Sequence, residues 1–225
     1  MKKLSVLSLA VVTLFLTSCG KKTSEETTTA EEQQVAEKTG EVLAVNLETS
    51  KVDWKAFHKG GFAPRWGTLS LTSGEVSVEG EELTAGDFVI DMKSLKVDPA
   101  SVTEKDKKSA DLEAHLKNAD FFDVEKNPTA AFKITNVATL DPAATGAIEG
   151  ANKTVSGNLT LKGKSLNVSF PAKITVANGT ASIQAKFTVN RADWDIKFGT
   201  SEADPAEWMI SKDIEIGINV KAAKK

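Results

Sequence analysis

The sequence predicts an all-β, antiparallel fold in one domain, and three observations carry that prediction. Apolar residues recur at every second position from Val42 onward, the period of strands with one buried face. Turn-forming dipeptides stand between the alternating runs, at Asn178-Gly179, Lys162-Gly163 and Ser73-Gly74, and each suits a connection between antiparallel neighbours. A helical period is confined to residues 104–118, where Leu112, His115 and Leu116 share a face.

Taken in order, the chain opens on Lys2-Lys3, an apolar run from Leu4 to Leu16, and Thr17-Ser18 before Cys19. Such a run is too short to cross a ~30 Å hydrocarbon core as a helix, but it suits a signal-peptide core. Cys19 is the sole cysteine and follows a leucine and two small residues, as the acylated residue of a bacterial lipoprotein does. The expectation is a signal peptide over 1–18, a lipidated Cys19, and a solvated tether over 19–41. That stretch is rich in Thr, Glu, Gln and Lys and has little to bury. Gly20, where an acidic residue would argue for retention at the inner membrane, favours the outer membrane.

Strands are expected at 42–48, 52–58, 66–72, 75–79 and 83–92, then at 130–137, 154–161, 168–176, 182–189 and 213–220. The helix of 104–118 is inserted between the fifth and sixth, and a short turn follows Pro205. Pro171 points outward from its strand and marks an edge or a bulge. Eight to ten such strands make a sandwich or a closed barrel, and closure has the advantage of removing exposed edges. No repeat and no boundary interrupts the body, so 42–225 is one domain.

Composition narrows the function. The 225 residues are 40% hydrophobic and 26% charged, with a formal charge of −3. Loss of the two lysines in 1–18 would leave 26 basic against 31 acidic residues, a charge of −5. A slightly acidic chain without a basic tract does not suit nucleic acid. One cysteine excludes an internal disulfide and a cysteine-rich zinc site. Phosphate-cradling loops, G-x-S-x-G and H-E-x-x-H are absent. No metal or cofactor is expected.

The candidate polar residues are ambiguous. His58 falls at a strand end beside Lys59-Gly60-Gly61 and reads as part of a solvated loop; His115 sits on the apolar helix face and reads as a satisfied, partly buried histidine. Asp87 and Asp91 share a solvated strand face, Asp120 and Asp123 flank Phe121-Phe122, and Arg191 with Asp193 suits a structural ion pair. The N-x-Ser/Thr tripeptides at Asn152, Asn158, Asn167 and Asn178 have no meaning in a bacterial lipoprotein. Trp54, Phe88, Phe132, Phe170 and Phe187 all have inward parity, while Ala56, Gly86, Gly157, Ala172 and Ala185 leave room between them. A barrel of about eight strands holds either packed side chains or one small ligand, and parity alone leaves both open.

The segment from Asp111 to Phe132, DLEAHLKNADFFDVEKNPTAAF, resembles the hallmark of the YceI-like family through its HLK, D-F-F-D and N-P-x-A-x-F elements. Residues 88–95 (FVIDMKSL), 155–163 (VSGNLTLKG) and 190–199 (NRADWDIKFG) are similar to further family motifs, although Trp194-Asp195 departs from the commoner Phe-Gly. The resemblance covers about 42–221. It implies a lipocalin-like antiparallel barrel of about eight strands with a short helical insertion, a long apolar cavity for a polyisoprenoid or similar lipid, and no enzyme. Trp54, Phe88, Ile90, Phe132, Leu159 and Phe187 would line the cavity, with His115, Asp120, Phe121 and Phe122 shaping the insertion beside it. The expected partners are therefore an isoprenoid-type or other apolar lipid and a membrane reached through Cys19. Two rivals stand beside this reading: an enzyme that uses His115 with a carboxylate, and an interaction module with a filled core.

Overall fold

The computed structural model describes residues 27–201, 205 and 209–224; Cys19 and the signal peptide expected before it lie outside the described residues. The strands are β1 (Thr28–Glu31), β2 (Glu41–Val45), β3 (Lys51–His58), β4 (Arg65–Glu79), β5 (Glu82–Val97), β6 (Thr129–Thr139), β7 (Lys153–Leu161), β8 (Lys164–Ala177), β9 (Thr180–Asn190) and β10 (Ile210–Ala223). Among the described residues one α-helix, α1 (Ser109–Lys117), stands between β5 and β6. From β3 to β10 each strand pairs antiparallel with the next, and β10 returns to pair with β3. Eight strands therefore close into a barrel. β2 prolongs β3 beyond a break at 46–50, since both lie between β4 and β10.

The dipeptide turns divide into two kinds. Asn178 and Gly179 have φ of 51° and 70°, and Lys162 and Gly163 have 48° and 74°, as two-residue hairpins require. Ser73-Gly74 makes no turn. It lies inside β4, where the register against β5 shifts between Leu71 and Ser73. A Cβ on Gly74 would stand 2.8 Å from a Val45 methyl, so this glycine permits close packing. The expected strands 66–72 and 75–79 are one strand with a bulge, and β5 extends past the expected 92 to Val97.

Pro171 sits where β8 parts from β9: β9 pairs with Ala172 to Ala177 only, and a residue without an N–H suits the point where a ladder ends. Nearer its start, β8 pairs with β1 instead. Within the expected tether of 19–41, residues 28–41 are therefore not free. From Thr28 to Glu41 the chain straps the outside of the barrel. Gln33 exchanges two hydrogen bonds with the Asn158 side chain, its own N–H donating to Oδ1 and its carbonyl accepting from Nδ2. The Ala36 N–H donates to the Ile134 carbonyl, and Lys38 pairs with Glu75 at 2.5 Å. Beneath the strap Asn158 and Asn167 are buried and hydrogen-bonded to each other at 2.9 Å.

Side chains fill the barrel unevenly. The end that carries β2, the 178–179 turn and the chain's last strand residues is solid, with Leu43, Val76, Ile134, Val155, Val168, Ile174 and Ile183 in one core. A second cluster lies under α1 and includes Trp54, Leu69, Ile90, Met92, Leu95 and Val97.

Candidate ligand cavity

Between the solid end and α1 the barrel holds a cavity of about 490 Å³, within the range of small-molecule sites. Its wall is aliphatic and aromatic. β3 and β10 contribute Val52, Trp54, Ala56, Ile214, Ile216 and Ile218, and β5 contributes Ile90, Met92 and Leu95. Phe132 and Phe187 form the floor, backed by a longer run of phenylalanine rings. Phe170 and Phe187 stack with centroids 3.9 Å apart, Phe132 lies 5.7 Å from Phe170, and Phe88 lies 6.4 Å from Phe132.

Of the six residues expected to line the cavity, Trp54, Ile90, Phe132, Leu159 and Phe187 do so and Phe88 does not. Phe88 belongs to the packed core beyond the floor. The expected room beside Gly86 and Gly157 is also taken. A Cβ on Gly157 would come within 2.3 Å of Phe132 Cζ, and one on Gly86 within 2.9 Å of both Phe88 and Ile134. Those glycines seat the aromatic rings. Trp54 is fixed by its Nε1, which donates to the Lys96 carbonyl at 3.2 Å.

The insertion closes the opposite side. α1 spans Ser109–Lys117 rather than 104–118, and its Leu112, His115 and Leu116 all face the cavity. Glu113 anchors the helix by accepting from the Val97 N–H at 3.1 Å. The D-F-F-D corner reverses the chain after the helix: Asn118 accepts the Asp123 N–H, and Asp123 adopts φ of 46°. That turn places Phe121 and Phe122 on the cavity. Asp120 does not line it but meets His115, with Nε2 and Oδ2 3.1 Å apart. His115 also stands edge-on to Phe121 and Phe198, at 5.0 and 4.9 Å.

Before the helix, Arg65 clasps the 98–108 segment, donating to the Ser101 carbonyl and to Glu104. The Glu104 carboxyl is held below its ordinary 4.5, first by its own backbone amide and then by Arg65.

Three residues take roles that the sequence did not disclose. Arg191 forms no pair with Asp193. Its guanidinium donates to the carbonyls of Ile196, Phe198, Ile210 and Ser211 and so holds both ends of the β9–β10 connection. Burial pushes its pKa down to about 10, which leaves it protonated at neutral pH. The Asn-Arg pair at 190–191 was the only signal. Trp194 is fully buried and donates to the Leu159 carbonyl at 3.0 Å; it is a core residue outside the cavity lining. His58 stands in the cavity wall and not on a solvated loop, stacked on Phe62 at 5.3 Å.

The YceI-like domain family matches residues 43–222. A UPF0312 protein of Pectobacterium atrosepticum is 30% identical over 150 residues, which cover 62% of this chain and 70% of that protein. Protein YceI of Salmonella arizonae is 28% identical over 150 residues, with the same coverage of 62% and 70%. Among solved structures, BcnA of Burkholderia cenocepacia is similar at a TM-score of 0.56 and 20% identity, over 80% of this chain and 99% of that one. A polyisoprenoid binding domain from Saccharophagus degradans is similar at 0.52 and 14%, over 85% and 100%. At those identities the likeness to the two structures is one of fold. The family match spans the barrel, from within β2 to the penultimate residue of β10, and this chain belongs to the YceI-like family.

Proposed function

We propose that this protein binds one isoprenoid-type or similarly apolar lipid in its barrel, and that it carries or sequesters that lipid in the cell envelope without catalysing a reaction. The cavity carries the reading: about 490 Å³ bounded by Ile, Leu, Val, Phe and Trp side chains, with polar groups only at one side. A chain of about fifteen methylenes gains on the order of 12 kcal/mol gross on burial there. Costs of roughly 4–15 kcal/mol for association and ordering offset much of it. A long apolar chain therefore binds without a polar anchor, while a short one does not. The similarity in fold to the polyisoprenoid binding domain of Saccharophagus degradans supports the choice of isoprenoids over other lipids. The filled-core interaction module has less support, because five of the inward residues face space and not each other.

Leu159→Lys tests the reading. Leu159 is half-buried in the cavity wall, and a lysine there places a charge in the path of an apolar chain. Extracts of the variant, purified from the protein's own host and folded by circular dichroism, should contain no prenyl lipid where the wild type contains one. A folded variant that retains the lipid overturns the assignment of this cavity.

A further inference from the structure

The polar side of the cavity is not electrically balanced. Four cationic side chains line it, Arg65, Lys107, Lys108 and Arg191, against Asp106 and Asp111. Arg65 and Lys107 share Glu104, at 2.5 and 3.4 Å. Arg191 differs from the others. It is 2% exposed, and among the described residues every hydrogen-bond partner of its guanidinium is a neutral carbonyl, with the Phe121 ring 5.7 Å from its Cζ and no carboxylate among its partners. Carbonyl oxygens satisfy donors without cancelling the charge, and four hydrogen bonds leave one of the five guanidinium N–H groups unused.

A second unsatisfied group adjoins it. His58 lines the cavity, and its Nδ1 is buried without a hydrogen-bond partner. Such atoms are uncommon in folded proteins, and this one belongs to a side chain of the cavity wall. His58 is the ladder partner of Ile210, and the Ile210 carbonyl accepts from Arg191 Nη2 at 3.3 Å. The two residues thus flank the same point of β10.

We infer that the ligand is an apolar chain ending in an anionic group, a phosphate or a carboxylate, with its oxygens held by Arg191 and His58. This rests on the proposed lipid-binding reading of the cavity and adds its polarity. The chain lies toward the phenylalanine floor, and the anion supplies the counter-charge that Arg191 lacks. Nδ1 is covered as the ring stands, so His58 donates to the anion once its imidazole turns about Cβ–Cγ toward the cavity, in the tautomer protonated at Nδ1.

The test is a titration of the full chain, purified from its own host and stripped of lipid, with four geranylgeranyl compounds: the monophosphate, the carboxylic acid, the methyl ester of that acid, and the alcohol. Trp54 in the cavity wall gives a fluorescence signal. Both anions should bind about tenfold or more tightly than the ester and the alcohol, as charge-assisted hydrogen bonds exceed neutral ones. In His58→Phe, which keeps a ring against Phe62, the ratio of anion to alcohol affinity should fall. That ratio is the readout, and the wild-type series stands without the variant if the variant does not fold. Equal binding of all four compounds overturns the anionic end group and leaves the lipid reading intact. Binding of none overturns the lipid reading, and this inference with it.

Discussion

Phe88 and Phe187 have the same parity, both are buried, and both belong to the same chain of rings, yet only Phe187 faces the cavity. The difference is height along the barrel. Phe88 packs on the filled side of Phe132, so Phe88→Ala should remove core volume and cost about 3–5 kcal/mol in denaturant unfolding, while prenyl lipid still copurifies. Loss of the lipid from a folded Phe88→Ala protein would show that the cavity extends through the phenylalanine floor. Gly157 makes the complementary case. Its Cβ position is occupied by Phe132 Cζ at 2.3 Å and the Lys133 carbonyl at 2.8 Å. Gly157→Ala should therefore destabilise by about 1–3 kcal/mol, measured the same way, because Phe132 has to leave its place in the floor. Inward parity was readable from alternation alone. Whether an inward side chain meets another ring or open space was not, because that depends on the stagger between strands.

At the scale of elements, the strap and the clasp are the parts with the least sequence signal. Residues 28–31 are exposed and carry no large apolar side chain, so no hydrophobic period marks β1, and Asn158 looked like an ordinary outward residue of an alternating strand. Its burial arises only when the strap lies across it. Asn158→Ala leaves the Gln33 amide and carbonyl and the Asn167 side chain short of partners; it should cost about 1–3 kcal/mol and increase proteolysis of the strap. The alternating strands and the hairpins at 162–163 and 178–179 were legible because backbone geometry demands those residues. Ser73-Gly74 misled because the same glycine that permits a turn also permits a bulge. The Arg65–Glu104 clasp adds a pH dependence. A carboxylate whose folded pKa lies below its ordinary value stabilises the fold above that value and ceases to do so as pH falls through the folded one. The stability gap between wild type and Glu104→Gln should therefore be present at neutral pH and close as pH falls below about 4. A gap that persists undiminished in acid would show that the clasp does not depend on the Glu104 charge.

For the whole molecule, one barrel is divided between a solid half that holds the fold together and a hollow half that α1 and the D-F-F-D corner cover. The family resemblance located the covering segment, and the division itself became visible only in three dimensions. The strap also shortens the proposed link to the membrane. If Cys19 is acylated, the nine steps from Cys19 to Thr28 reach at most roughly 30 Å, and the barrel stays close to the lipid surface from which its ligand would come. Cys19→Ser should release the protein from the membrane fraction into the soluble one with its barrel folded; continued membrane attachment would argue against the lipid anchor. The central claim is occupancy of the hollow half, and native mass spectrometry of the protein purified from its own host, followed by analysis of an organic extract, tests it most directly. One discrete adduct per chain that extracts as a prenyl lipid is the expected result. A bare polypeptide mass, in a sample that also fails to take up added prenyl lipids, would contradict it.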